Sequence, residues 1–158
     1  MKYFLGKYWE MMNSDDPDIQ NKGGKAWIEM AESYSAYFET IKSKLPKGFL
    51  KVFEKNNWFH DCEITSVNLI NTKKSSSIVE FRIKIKNAAF KLKLTGVKKF
   101  KVDIPTTQNW MCGMLTWGYT EFELNDDNSW SIHILCDFDN EIAVSFKRIS
   151  IAKVNPEA

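Results

Sequence analysis

The sequence predicts an α+β fold, with N-terminal helices packed on a mostly antiparallel, meandering β-sheet of about six strands. Three observations predict it. Up to Asn57 the apolar residues recur at threes and fours, the period of an amphipathic helix; beyond it they recur at twos, the period of a half-buried strand. The switch falls in one stretch, Trp58 to Leu69 (WFHDCEITSVNL), which also holds the densest cluster of reactive side chains: His60, Asp61, Cys62 and Glu63. The third is length. A chain of 158 residues reads as a single domain, 1–158, with a helical part (1–57) and a β part (58–158).

Taken in order, Leu5, Tyr8, Trp9 and Met12 fall at helical spacing and predict a short first helix. Asn13 to Gly24 reads as a polar loop broken by Pro17 and the Gly23–Gly24 pair, although Asp15, Asp16 and Asp18 around Pro17 also suit a helical first turn. From Lys25 to Lys44 the stripe Trp27, Met30, Ala31, Tyr34, Tyr37, Phe38 and Ile41 predicts an amphipathic helix. Lys42 and Lys44 suit the negative end of its dipole, and Pro46 and Gly48 close it. Phe49 to Asn56 adds a further turn or two, with Leu50, Phe53 and Val52 as the candidates to face inward.

Cys62 and Ile64, then Val67 and Leu69, predict a strand with a phase slip at Thr65–Ser66, as a bulge would give. Lys73 to Ser77 reads as a turn. Val79, Phe81, Ile83 and Ile85 alternate with Glu80, Arg82, Lys84 and Lys86; Phe90, Leu92 and Leu94 alternate with Lys91, Lys93 and Thr95. The short link at Asn87–Ala88 makes these two an antiparallel hairpin. Val97 to Ile104 extends the sheet past a break at Gly96. Pro105 to Gly113 is a loop carrying Trp110, Met111 and Cys112. Leu115 to Leu124, then Trp130, Ile132 and Ile134, then Ile142 to Ile151 complete the strands, with turns at Asn125–Asn128 and Asp137–Asn140.

Composition narrows the function classes. The chain is 44% hydrophobic, 27% charged and 14% aromatic, with six Trp, so a core is well supplied and some aromatics are available as partner anchors. A net charge of only +2 argues against a nucleic-acid-coating protein. No apolar run reaches the roughly 18–20 residues of a membrane span. The first residues, MKYFLGKYWEMM, lack the apolar core and cleavage site of a signal peptide, so the expected compartment is the cytoplasm. Cys62, Cys112 and Cys136 are then expected reduced.

The reactive residues do not spell a catalytic motif. His60-x-Cys62 offers two ligands on one strand face, but no C-x-x-C pair completes a zinc site, and no metal or cofactor is expected. His60–Asp61 matches the dipeptide of one metal-dependent phosphohydrolase class, whose further histidines are missing. A Cys62 nucleophile would need a thiolate and a nearby base, and no helix start or glycine-rich elbow adjoins it. The plainer reading makes His60 and Asp61 fix the turn and buries Cys62.

Two charged surfaces stand out instead. Arg82, Lys84, Lys86, Lys91 and Lys93 share the solvent face of one hairpin, a basic patch able to meet phosphates, without interleaved aromatics for stacking on single strands. Lysines there also guard a sheet against edge pairing. Acidic residues collect in turns: Asp126 and Asp127 at one end of the Trp130 strand, Asp137, Asp139 and Glu141 at the other. With Trp110 or Trp130 as anchors these are the candidate partner-binding residues.

At MKYF…YWEMM and at WFHDCEI the sequence resembles a set of small bacterial proteins with an aromatic-rich first helix and an HDxxI-type strand start, which recurs among immunity proteins of polymorphic-toxin and contact-dependent growth inhibition systems. The resemblance implies a non-catalytic cytoplasmic inhibitor that binds one cognate toxin domain, commonly a nuclease, one to one and covers its active site. It transfers no binding residues. The alternative is a nucleic-acid-binding module using the Lys-rich hairpin.

Overall fold

The computed structural model describes residues 1–72, 77–103, 115–136 and 140–155. Three helices, α1 (Gly6–Met12), α2 (Pro17–Ile41) and α3 (Lys47–Lys55), accompany an antiparallel sheet. The strands are β1 (Cys62–Asn71), β2 (Ser77–Ile85), β3 (Ala88–Val97), β4 (Lys99–Asp103), β5 (Leu115–Leu124), β6 (Trp130–Cys136), β7 (Glu141–Phe146) and β8 (Arg148–Val154). The fold is α+β as expected.

α2 starts eight residues before the expected Lys25. Asp16 caps it, its carboxylate accepting from Asp18 N at 2.9 Å and Ile19 N at 3.4 Å, and Pro17 takes the first helical position. Gly23 and Gly24, expected to break the chain, lie inside this helix. Gly23 serves a crossing: a Cβ there would stand 2.5 Å from Met11 Cβ, so α1 and α2 approach only because it is absent. The stripe behaves as read, with Trp27, Tyr34, Phe38 and Ile41 buried.

The sheet has eight strands rather than about six, in the order β4-β7-β6-β5-β1-β2-β3-β8. The difference arises on two sides: the expected extension after Gly96 is a strand of its own, parted from β3 at Lys98 rather than at Gly96, and the stretch read as one strand from Ile142 to Ile151 is broken at Lys147 into β7 and β8. β3 pairs with β8 up to Thr95–Arg148, and β4 with β7 from Lys99–Ser145, so one more residue lies between these pairs on the β3–β4 side. Gly96, at φ +68°, takes up the excess. Lys98 N donates to Ser145 O (2.8 Å) and Lys147 N to Thr95 O (3.0 Å), stitching the break. The strand order therefore runs full circle, since its two ends are consecutive stretches of one ribbon.

β1 carries the expected bulge, a register shift between Ile64 and Ser66. Before it, β1 pairs with β5 through Cys62–Trp117 to Ile64–Leu115; beyond it, β1 pairs only with β2. The rest of β5 thus has an edge without a strand, and α2 covers it. Phe122 N donates to Tyr34 Oη (2.7 Å) and Leu124 N to Tyr37 Oη (3.2 Å). Phe122 anchors the core, with Phe49 and Phe53 of α3 and Phe38 of α2 around it at ring-centroid distances of 5.6–6.2 Å.

On its other face β5 holds the N-terminal segment. Glu121, fully buried, accepts from the backbone N–H groups of Lys2 (2.7 Å), Tyr3 (2.7 Å) and Phe4 (2.6 Å). The Met1 ammonium donates to Glu141 at 2.9 Å.

Candidate functional site

The link from α3 into β1 is backbone that L-residues avoid. Asn57, Trp58 and Phe59 have φ of +51°, +57° and +64°, and Asp61 has +64°. Three left-handed residues in a row cost about 1–2 kcal/mol each outside Gly, less for Asn and Asp. Aromatic packing offsets this. Phe59 is sealed in the core against Phe53 (5.0 Å) and Trp117 (5.4 Å), and Trp58 lies on Phe38 (5.0 Å) and Phe53 (5.6 Å). Asp61 N then donates to Trp117 O (2.8 Å), locking the start of β1 to β5.

The turn delivers His60 and Asp61 to the wall of a cleft. His60 Nδ1 and Asp61 Oδ2 stand 2.9 Å apart, and the His60 ring meets Tyr119 edge-on at 4.8 Å. Tyr119 also stacks on Phe4 (5.1 Å), with Trp27 at 4.6 Å and Trp9 at 6.3 Å. A bulge in β5 between Trp117 and Tyr119 aims Tyr119 there. Gly118, within the bulge, lies so close to β6 that a Cβ would stand 2.7 Å from Leu135 O. The result is a cleft of about 220 Å³ lined by Trp9, His60, Asp61, Gly118, Tyr119 and Leu135, with Cys136.

Burial shifts two titratable groups, Cys62 beside the cleft and Tyr119 in its wall. Burial pushes the Cys62 thiol well up, and the charges around it, Asp61 and Glu63 among them, add to the shift, so the neutral thiol is favoured over the thiolate. Burial, then the Asp61 charge, raises the Tyr119 hydroxyl. Among the described residues no three His, Cys, Asp or Glu stand close enough to hold a metal ion.

Four of the five basic-patch residues come together as read. Arg82 and Lys84 of β2 and Lys91 and Lys93 of β3 share an outer sheet face, with Arg82 directly opposite Lys91. Lys86 sits in the turn at φ +54°. Lys84 lies 3.9 Å from Glu63 and Lys91 3.7 Å from Glu80, while Arg82 and Lys93 have no ion-pair partner among the described residues.

The acidic turns are less available. Asp127 bonds Lys98 and Ser129, which hold its carboxyl well below the usual range; Asp126 is exposed beside it. Glu141 is partly buried, which acts to raise its pKa, but the His133 bond (3.0 Å) and the Met1 ammonium outweigh that and leave it low. Trp130, 6% exposed, packs near Phe122 in the core and offers a partner no surface. Trp110, Asp137 and Asp139 lie outside the described residues.

Sequence reasoning missed Trp9, Tyr119 and Gly118 as cleft residues, and Glu121 as an anchor. Trp9 comes from a helix, Tyr119 from a strand and Asp61 from a turn, and no local pattern links them. Glu121 alternates with Phe122 like any solvent-facing strand residue.

No protein-family model matches the chain, and no curated protein matches it. Among the described residues no helix is long and apolar enough to cross a membrane.

Proposed function

We propose that the protein is an immunity protein, which binds a cognate bacterial toxin domain one to one in the cytoplasm and blocks it without chemistry of its own. The observation that carries this reading is the outer face of β1, β2, β3 and β8. There Arg82, opposite Lys91 and Ser66, and Lys93, opposite Ser150 and Glu80, have no ion-pair partner among the described residues, Glu80 lying instead 3.7 Å from Lys91, on strands fixed by a dense core. A charged, preorganised surface of this kind suits recognition of another protein. The chemistry-bearing cluster supports the same reading, since Cys62 is built as a core thiol. The resemblance at MKYF…YWEMM and WFHDCEI points the same way.

The basic face is the favoured contact surface. Of the acidic candidates, Asp127 and Glu141 already have cationic partners within the fold. The test is co-expression with the product of the reading frame immediately upstream. The expected result is a one-to-one complex of roughly nanomolar dissociation constant, about −12 kcal/mol, that restores growth. Arg82→Glu with Lys93→Glu should weaken it by about tenfold or more, and Asp126→Lys should leave it unchanged. No complex, with the upstream product harmless, would sink the reading.

A second reading follows from Arg82 and Lys91 lying directly opposite one another beside Lys93: the face binds nucleic acid phosphates. It predicts that RNA or DNA affinity falls steeply with salt, with a logarithmic slope near the number of phosphates neutralised. Weak binding with a flat salt dependence removes it.

A further inference from the structure

We propose that the cleft between Trp9 and Tyr119 receives one arginine side chain of the toxin partner, its guanidinium lying over the exposed Trp9 ring and against the Asp61 carboxylate. The proposal rests on the partner-binding reading above and names a subsite within it.

Size limits the occupant. The cleft, about 220 Å³, falls below the about 300–1,000 Å³ of sites that hold drug-sized ligands. It takes a single side chain more readily than a metabolite.

The walls select its chemistry. Trp9 is 41% exposed, a large apolar ring left in water on α1, and it faces Tyr119 and Trp27. Stacked and edge-on aromatic rings present negative faces that attract a cation. The chain's own lysines in this segment are used elsewhere: Lys2 lies over Tyr3 at 5.4 Å and Lys7 over Tyr8 at 4.8 Å. Among the described residues no cation lies over Trp9 or Tyr119.

The mouth supplies the counter-charge. The Asp61 side chain is 79% exposed, and His60 engages only Oδ2. Oδ1 has no hydrogen-bond partner among the described residues. A guanidinium fits better than an ammonium, because its planar fork bonds a carboxylate while its face stacks on an indole, and it is more weakly hydrated. The strained turn gives the Asp61 backbone a fixed place, because its N–H is tied to Trp117 O.

The cleft also adjoins the basic face. Glu63, two residues beyond Asp61, lies between Thr116 of β5 and Lys84 of β2. One partner could therefore meet both, with acidic groups over the lysines and an arginine in the cleft.

The test uses N-acetyl-arginine amide as probe and N-acetyl-norleucine amide as its uncharged control, followed by tryptophan fluorescence and by NMR shifts of the residue 60 and 119 amides. Two variants accompany the wild type. Asp61→Asn removes the charge and keeps a residue that tolerates positive φ. Trp9→Leu removes a half-exposed ring. The arginine probe should saturate the wild type, and each substitution should weaken it by about tenfold. The same substitutions should weaken the toxin complex to a similar degree. A norleucine probe that binds equally well, or an arginine probe indifferent to both substitutions, overturns the proposal. So does a nanomolar toxin complex that neither substitution changes, and in that case the immunity reading stands. Saturation by arginine without any toxin complex overturns the immunity reading, and with it the toxin as source of the arginine.

Discussion

Glu121 has no exposed surface, yet it accepts three successive backbone N–H bonds from the N-terminal segment. A buried carboxylate is tolerated only when its lone pairs are used in this way. Glu121→Gln should cost about 2–3 kcal/mol, the worth of bonds to a charged acceptor together with an amide nitrogen forced against an N–H. Urea unfolding would measure it. A loss near zero would mean that the segment holds itself in place by Phe4 alone. Cys62 sets a pH dependence. Its unfolded thiol ionises near 9.0, and burial raises the folded value. The stability tied to it is fully present below pH 9.0 and is lost above that, at up to about 1.4 kcal/mol per pH unit, as the unfolded chain releases a proton that the folded chain keeps. Tyr34 adds the same sign above 10.0. Urea midpoints should therefore fall from pH 9.0 upward, and Cys62→Ala should flatten the first part of that fall.

At the scale of the element, the change from helix to strand was legible at Asn57–Trp58, and so was the slip in β1, because Ile64 and Val67 cannot share a face without an extra residue between them. What happens at the change was not legible. Positive φ at Trp58 and Phe59 has no sequence signature, because tertiary packing of those rings, not local preference, holds the backbone there. Gly23–Gly24 misled for a related reason. Glycine ends helices, but it also lets two helices touch, and only the position of Met11 decides between the two. Of the candidate site, the basic face follows from strand alternation alone, whereas the aromatic cleft needs α1, β5 and the turn to be assembled. The turn can be tested where packing does not interfere. Asn57 is exposed at φ +51°. Asn57→Val should destabilise by about 1–2 kcal/mol and Asn57→Gly by close to nothing, since only the first meets the left-handed penalty. Equal effects would show that the turn relaxes freely and stores no strain.

At the scale of the whole molecule, the single-residue breaks at Lys98 and Lys147 decide the architecture. A meander of six strands would leave two free ends. Here the ribbon formed by β3–β4 and β7–β8 joins the β1–β2 side of the sheet to the β5–β6 side, and β1 joins them again through Cys62–Trp117. Neither half can lose its pairing without exposing the aromatic core that both cover. Such a chain should unfold in one cooperative step despite its mixed helix and strand order. Gly96 is the place to probe this. Its φ of +68° is strained for any L-side chain, and an added Cβ would stand 3.0 Å from Lys147 Cβ and Cγ. Gly96→Ala should cost about 1–2 kcal/mol, and the loss should be global. Far-ultraviolet circular dichroism reports the backbone as a whole, while tryptophan fluorescence reports Trp27 and Trp58 beside the helices and Trp117 and Trp130 within the sheet. Both midpoints should move down together with their slopes unchanged. Separated transitions in the variant would mean that the ribbon is a seam between two independently stable halves, and that the closed strand order contributes nothing to cooperativity.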